Sequence, residues 1–330
     1  MLKFLFFPAD AHEGPVWIAR QQRLYYATKP HPKGRNRVDL EYLDFSPFLE
    51  NEQSLSELSE RAQRYVSPKT FVKGANMANA LRAARDGKHL LVAEQGDMSN
   101  GGGIAAYDIR SGQRTPIVNE NSGFAFNSPN KVIETKDGHL IFSDPDYGFR
   151  NGFRPPPVLE PMLYLLPKGQ DKPIPFRCQL EMPHGLELSA DEKTLFVTDT
   201  SNDGVHAKDV DLNRQHSVWK FGFDPEVPAI YGPGEYCFEV AKGVPDGMTS
   251  TKDEVLVGGG DGIYVADMDG QLTGKITTTE TAVNVCLTDD HRHLFATMDK
   301  GVLLLLNWRE FVGKKVTVPT KKQEAAESRS

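Results

Sequence analysis

Residues 184–199 read HGLELSADEKTLFVTD. A polar residue, His184, leads a short strand-like segment. The polar turn DEK (191–193) follows, and a more apolar strand starts at Thr194. This pattern occurs six times. The other leaders are Glu13 (EGPVW), Asn79 (NALRAA), Asn130 (NKVIET), Asp246 (DGMTS) and Asn284 (NVCLT). Their apolar partners are RLYYA from Arg23, HLLVAE from His89, HLIFSD from His139, EVLVGG from Glu254 and HLFAT from His293. The intervening turns are polar, and DGK (86–88) and DGH (137–139) carry the Asp-Gly pair that favours tight antiparallel connections.

Further strands follow: IAAYDI from Ile104, MLYLL from Met162, SVWKFGF from Ser217, GIYVADM from Gly262 and GVLLLLNW from Gly301. Weaker fourth strands are RTPIVN, KPIPFRC, GKITT and, after the sixth unit, KKVTVP. The leaders are too unevenly spaced for a solenoid. Six units of four short antiparallel strands predict an all-β fold, a six-bladed β-propeller; five or seven units are the alternatives. Each blade is covered on both faces by its neighbours, which explains why its apolar runs do not alternate strictly.

Helical patterning is confined to SLSELSERAQRYV (54–66). Residues 28–69, 149–161 and 201–215 read as long loops, of the kind that shape a pocket mouth. The propeller is expected to occupy residues 1–319 as one domain, with a polar, disordered tail at 320–330.

The bulk numbers exclude several classes. The chain has 330 residues, 39% hydrophobic, with a net charge of −7. That balance argues against a nucleic-acid partner. The apolar run at 4–8 is too short for a signal peptide, and no segment reaches the ~20 apolar residues of a membrane span. Cys178, Cys237 and Cys286 are far apart and form no CxxC, which fits reduced thiols and a cytoplasmic location. No G-x-S-x-G elbow, P-loop or H-E-x-x-H occurs.

Inner strands of a propeller run along its axis, so residues that open them converge on one volume. Glu13, Asn130, His184 and Asp246 then offer two carboxylates, an amide oxygen and an imidazole. Two carboxylates balance a divalent cation, and oxygen ligands suit Ca²⁺. Singly, Glu13, Asn130 and Asp246 are better read as turn residues, and His184 as a satisfied polar residue. At matching positions in four units, together, they read as a metal site. The neighbouring Gly and Pro residues in EGP, SPN, PHG and PDG suggest exposed, sharply turned backbone there.

The segments EGPVW, FNSPNKV, FSDPDYG, PHGLELSADEKTLFVTDT and GVPDGM, in this order, resemble the gluconolactonase / senescence marker protein (regucalcin) family over roughly residues 11–310. The resemblance implies a six-bladed propeller with one central divalent metal, usually Ca²⁺, that hydrolyses lactones. It places the metal-binding residues on Glu13, Asn130, His184 and Asp246. His184 stands where the family motif has Asn, and imidazole opens the site to Zn²⁺ or Mn²⁺. Lys131 stands where the motif usually has Asp, either placing a cation near the pocket or pointing away.

The implied chemistry is ester hydrolysis of a small oxygenated lactone, with the carbonyl polarised by the ion and Asp246 as catalytic base. Asn79, Asn284, Tyr147 and Lys131 are candidate substrate contacts. Asp144 and Asp199 are expected to fix backbone turns. Alternatives are a phosphotriesterase-like hydrolase on the same scaffold and a non-catalytic metal-binding propeller. Oligomeric state is not legible.

Overall fold

The computed structural model describes residues 3–30, 37–49, 55, 58, 60–201 and 216–318. Six sheets stand side by side around one axis, each with four antiparallel strands, and the fifth is extended by a short parallel strand at its outer edge. The inner strands, in blade order, are Ala11–Ile18, Ala78–Ala83, Val132–Glu134, Pro183–Leu188, Met248–Ser250 and Ala282–Leu287. Each packs beside the next, and the first also packs beside the sixth, which closes the ring. The expected six-bladed propeller is therefore the fold.

Among the described residues the apolar core falls into six clusters, one in each gap between adjacent blades. Leu195 and Val197 of blade 4, for example, pack with Ile141 and Leu163 of blade 3. Phe196, between them in sequence, packs with Val255 and Val257 of blade 5. Alternate side chains of one strand thus serve two different gaps, and both sides are apolar.

Closure departs from the sequence expectation. The sixth blade takes its fourth strand from the N-terminus: Lys3–Pro8 pairs antiparallel with Gly301–Leu306. Leu5, Phe6 and Phe7 are buried by this pairing. The segment KKVTVP does not fill that place. Its strand, Lys315–Val316, pairs parallel with the outer strand Leu272–Thr278 of blade 5. An N-terminal apolar strand satisfies the edge of the last blade with a sequence-distant partner, a pairing that no local pattern announces.

Two loop expectations change, and the expected helix is shorter. The stretch 28–69 contains the third strand of blade 1, Leu40–Asp44. The helix expected at 54–66 is the six-residue Glu60–Tyr65; several earlier residues of that stretch lie outside the described residues. The loop at 149–161 begins inside a helical turn, Tyr147–Arg150. Residues 202–215 and the expected tail at 320–330 lie outside the described residues. Among the described residues no helix is long and apolar enough to cross a membrane.

Candidate metal centre

The ladder of the inner strand is irregular where four of the leaders stand. Register shifts occur at Glu13, across Asn79, across His184 and at Asn284. Asn130 and Asp246 precede their inner strands by two residues. Extra backbone at the start of each strand turns the leader away from the ladder and toward the axis.

The glycines beside the leaders have a different purpose from the one the sequence suggested. The backbone there is buried rather than exposed. Gly14 has a positive φ of 58°, and a Cβ on it would lie 2.1 Å from the Leu81 nitrogen of blade 2. A Cβ on Gly247 would lie 2.0 Å from the Asn284 side chain. These positions lack side chains so that neighbouring inner strands can approach.

The result is a compact donor set. One ligand atom each from Glu13, His184 and Asp246 lie within 4.8 Å of one another. His184 Nδ1 is 3.4 Å from an Asp246 oxygen. Asn130 is buried in the same pocket, and its side-chain oxygen has no hydrogen-bond partner among the described residues. Asn79 shares that condition. A buried carbonyl oxygen without a donor is costly unless a cation or water satisfies it. Burial pulls the His184 pKa down to about 4, against the attraction of Glu13, so the ring is neutral at neutral pH and its lone pair is available. Two carboxylates, amide oxygens and a neutral imidazole fit a divalent cation.

The pocket is a cavity of about 490 Å³ lined by these groups. Tyr147 and Phe153 line it. The Tyr147 ring meets His184 edge-on at 5.3 Å, and its hydroxyl bonds Thr200 Oγ1. Of the expected substrate contacts, Asn79 and Tyr147 face this pocket. Asn284 and Lys131 line a second cavity of about 240 Å³ instead. Asn284 Nδ2 donates to Glu13 Oε2 at 2.9 Å, so it holds a candidate ligand in place.

Other groups fix the backbone of the site. Asp144 accepts the N–H groups of Asn127 and Ser128 at 2.9 and 2.8 Å, ordering the loop before Asn130. Burial lifts its carboxyl to about 7 against those donors. Asp199 accepts the N–H groups of Glu181, Met182 and Ser201. Both acids thus fix turns, as expected from their place at strand ends.

Sequence reasoning missed a set of hydroxyls. Ser143 donates to the His184 carbonyl at 2.6 Å, Thr198 to the Asp246 carbonyl at 3.3 Å, and Thr297 to the His12 carbonyl at 2.7 Å. Each stands near the end of a blade's second strand and bonds the leader segment of the next blade. Their signal is a hydroxyl residue in FSD, VTD and FAT, which is legible only after blade order is known. His12 was also missed; it lines the pocket beside Glu13, with a buried Nδ1 that has no hydrogen-bond partner among the described residues.

Residues 11–300 match the family described as the SMP-30/Gluconolactonase/LRE-like region. The chain belongs to this family. Two relatives show the same kinship. A gluconolactonase of Zymomonas mobilis subsp. mobilis is 27% identical over 240 residues, 68% of this chain and 62% of that protein. Lactonohydrolase oryL of Aspergillus oryzae is 24% identical over 251 residues, 68% of this chain and 55% of that protein. The matches therefore span less than two thirds of these relatives' own length. Among solved structures, a gluconolactonase from Xanthomonas campestris superposes with a TM-score of 0.71 at 25% identity, covering 92% of this chain and 89% of its own. A calcium-binding regucalcin from Agrobacterium tumefaciens shares the fold, with a TM-score of 0.66 at 14% identity, covering 96% of this chain and 97% of its own.

Proposed function

We propose that this family member is a metal-dependent lactonase. The observation that carries the reading is the convergence of Glu13, His184 and Asp246 in a ligand-sized cavity that Asn130 and Asn79 also line, their side-chain oxygens without hydrogen-bond partners among the described residues. The family match and the names of the relatives favour a cyclic ester as substrate.

Glu13, Asn130, His184 and Asp246 would hold the ion, with Ca²⁺ as the first expectation and Mn²⁺ or Zn²⁺ admitted by the imidazole. A divalent cation in this place supplies polarisation of the ester carbonyl and charge stabilisation as its oxygen becomes anionic. Asp246 takes a proton from the attacking water as the new C–O bond forms. The bond from carbonyl carbon to ring oxygen then breaks, and the departing oxygen takes up the proton. The product is an open hydroxy acid. Asn79 can accept from a substrate hydroxyl or the water through Oδ1. Tyr147 and Phe153 form the wall that excludes bulk water. Asn284 keeps Glu13 from rotating out of the donor set, and Lys131 lines the second cavity rather than the substrate pocket.

The test is hydrolysis of a panel of aldonolactones and alkyl lactones by protein stripped with chelator and reloaded with Ca²⁺, Mn²⁺ or Zn²⁺. Activity should depend on the ion. Asp246→Asn and Glu13→Gln should each lose at least ~100-fold, the scale expected when a catalytic base or metal ligand is removed. Full turnover by the stripped enzyme, or by either variant, would sink the reading.

A further inference from the structure

Beside the candidate metal pocket lies a larger groove, a cavity of about 1190 Å³. Val38 and Phe153 line both. Asn76 and Met77 line the groove, and Ala78 and Asn79, next in sequence, line the pocket. Gln95 lines the pocket, and the loop that follows it, from Asp97 to Gly101, lines the groove. Pocket and groove therefore adjoin along the same stretches of chain. One buried side chain fixes that loop to the site. Arg154 donates to the carbonyls of Asp97 and Asn100, both at 2.9 Å. It also donates to those of Phe126 and Asn127, both at 2.8 Å, in the segment that leads to Asn130. Asp97 Oδ1 closes the loop by accepting the N–H groups of Ser99 and Asn100 at 2.7 and 2.8 Å. A groove built this way is shaped before any ligand arrives.

The charges along the groove are already balanced. Arg114 holds Glu94 through two hydrogen bonds at 2.7 and 2.6 Å, and Arg37 holds Asp39. What remains is neutral hydrogen-bonding surface at the exposed Ser99 and Asn100, beside the apolar Met98 and Phe153. A hydroxylated ring matches such a surface, because its hydroxyls meet donors and acceptors while its C–H face meets the apolar side chains. An anionic group finds no uncommitted cation among the described residues that line the groove. An alkyl chain would take polar groups out of water without replacing their hydrogen bonds. We propose that the groove is a second subsite that accepts a sugar ring attached to the lactone, so that the preferred substrate is a glycosylated aldonolactone with two rings. This rests on the lactonase reading above. The pocket is large enough by itself for the lactone ring. The distal ring then raises kcat/KM through contacts remote from the reacting carbonyl.

The experiment compares kcat/KM of the metal-loaded wild type on gluconolactone, cellobionolactone and an alkyl-substituted lactone, γ-dodecalactone. The two-ring lactone should exceed gluconolactone by about tenfold or more. Gly101→Trp then fills the groove: a Cβ at Gly101 meets nothing within 4 Å, and Gly101 does not line the pocket. It should lose about tenfold on cellobionolactone and stay within about twofold of wild type on gluconolactone. Should Gly101→Trp fail to fold in a thermal melt, Ser99→Trp blocks the same groove from an exposed position. Wild type that turns over gluconolactone or γ-dodecalactone as well as cellobionolactone overturns the proposal and leaves the lactonase standing, and needs no variant to do so. Equal losses on both sugar lactones in the folded variant also overturn it, since the groove is then not a separate subsite. Hydrolysis of none of the three sinks the lactonase reading itself and the subsite with it.

Discussion

Asn284 donates to Glu13 from the far side of the site, across the junction where the sixth blade meets the first. Removing that donor should loosen a ligand without deleting it. Asn284→Ala is expected to weaken divalent-ion affinity by ~10-fold, the lower end of what partners of metal ligands contribute. Calorimetry checks this, and an unchanged Kd would show that Glu13 is held by packing alone. Gly247→Ala should be worse than its size suggests, since the new methyl would meet the Asn284 side chain. A loss of ~1–3 kcal/mol in denaturant melts is expected from such overpacking. A third residue reports on pH. Buried His293 accepts the Asn307 N–H through Nδ1 at 3.1 Å, and burial lowers its pKa below the ordinary 6.5. The unfolded chain then binds the extra proton first. The stability His293 contributes is whole above pH 6.5 and is lost as pH falls through the lower folded value. Melts of wild type between pH 7 and 4 should show this slope, and His293→Gln should flatten part of it. The leaders were readable one by one because each is a polar residue at the head of an apolar pattern. Which neighbour holds which leader was not, since Asn284 and Glu13 are 271 positions apart.

Elements show the same division. The strand periodicity was visible, and so were the Asp-Gly turns between first and second strands. The fourth strand of blade 6 was not, because Lys3–Pro8 and Gly301–Leu306 lie at opposite ends of the sequence. Phe7 is fully buried there and stacks edge-on with Phe45 at 5.2 Å. Phe7→Ala is therefore expected to cost ~3–5 kcal/mol. Deleting residues 3–8 should leave Gly301–Leu306 as an open apolar edge and cause aggregation on heating, checked by light scattering. The second strands have a further duty. Thr198 Oγ1 accepts the Gly185 N–H at 2.7 Å and donates to the Asp246 carbonyl, joining two blades at the candidate centre. Thr198→Val keeps the shape and removes both bonds. It should destabilise the fold by ~1–3 kcal/mol through the buried groups left unsatisfied, and it should weaken metal binding more than a substitution on an outer strand. Equal effects from the two would mean that the hydroxyl serves stability only.

For the whole molecule, a cation held as proposed by Glu13, Asn130, His184 and Asp246 would draw its ligands from four blades. A ligand that binds only the closed ring stabilises it by mass action, ~2.7 kcal/mol at a hundred times its Kd. Saturating Ca²⁺ or Mn²⁺ should raise the melting midpoint by several degrees over chelated protein, and a flat response would count against a metal centre. The sequence by itself determined the fold class, because each blade repeats a local pattern of leader, turn and apolar strand that needs no partner to be recognised. It also determined the residue types at the axis, and with them the family. Only the tertiary structure decided how the ring closes and which leaders meet in space. It set Asn79 and Tyr147 against the pocket, and Asn284 and Lys131 behind it. The physical reason is that the inner strands are short, so a shift of one residue at a bulge turns a side chain from one face of the sheet to the other. That direction is chosen by contacts between blades, through bonds such as those of Ser143, Thr198 and Thr297 to the next blade's backbone. Those contacts exist only once all six blades are in place.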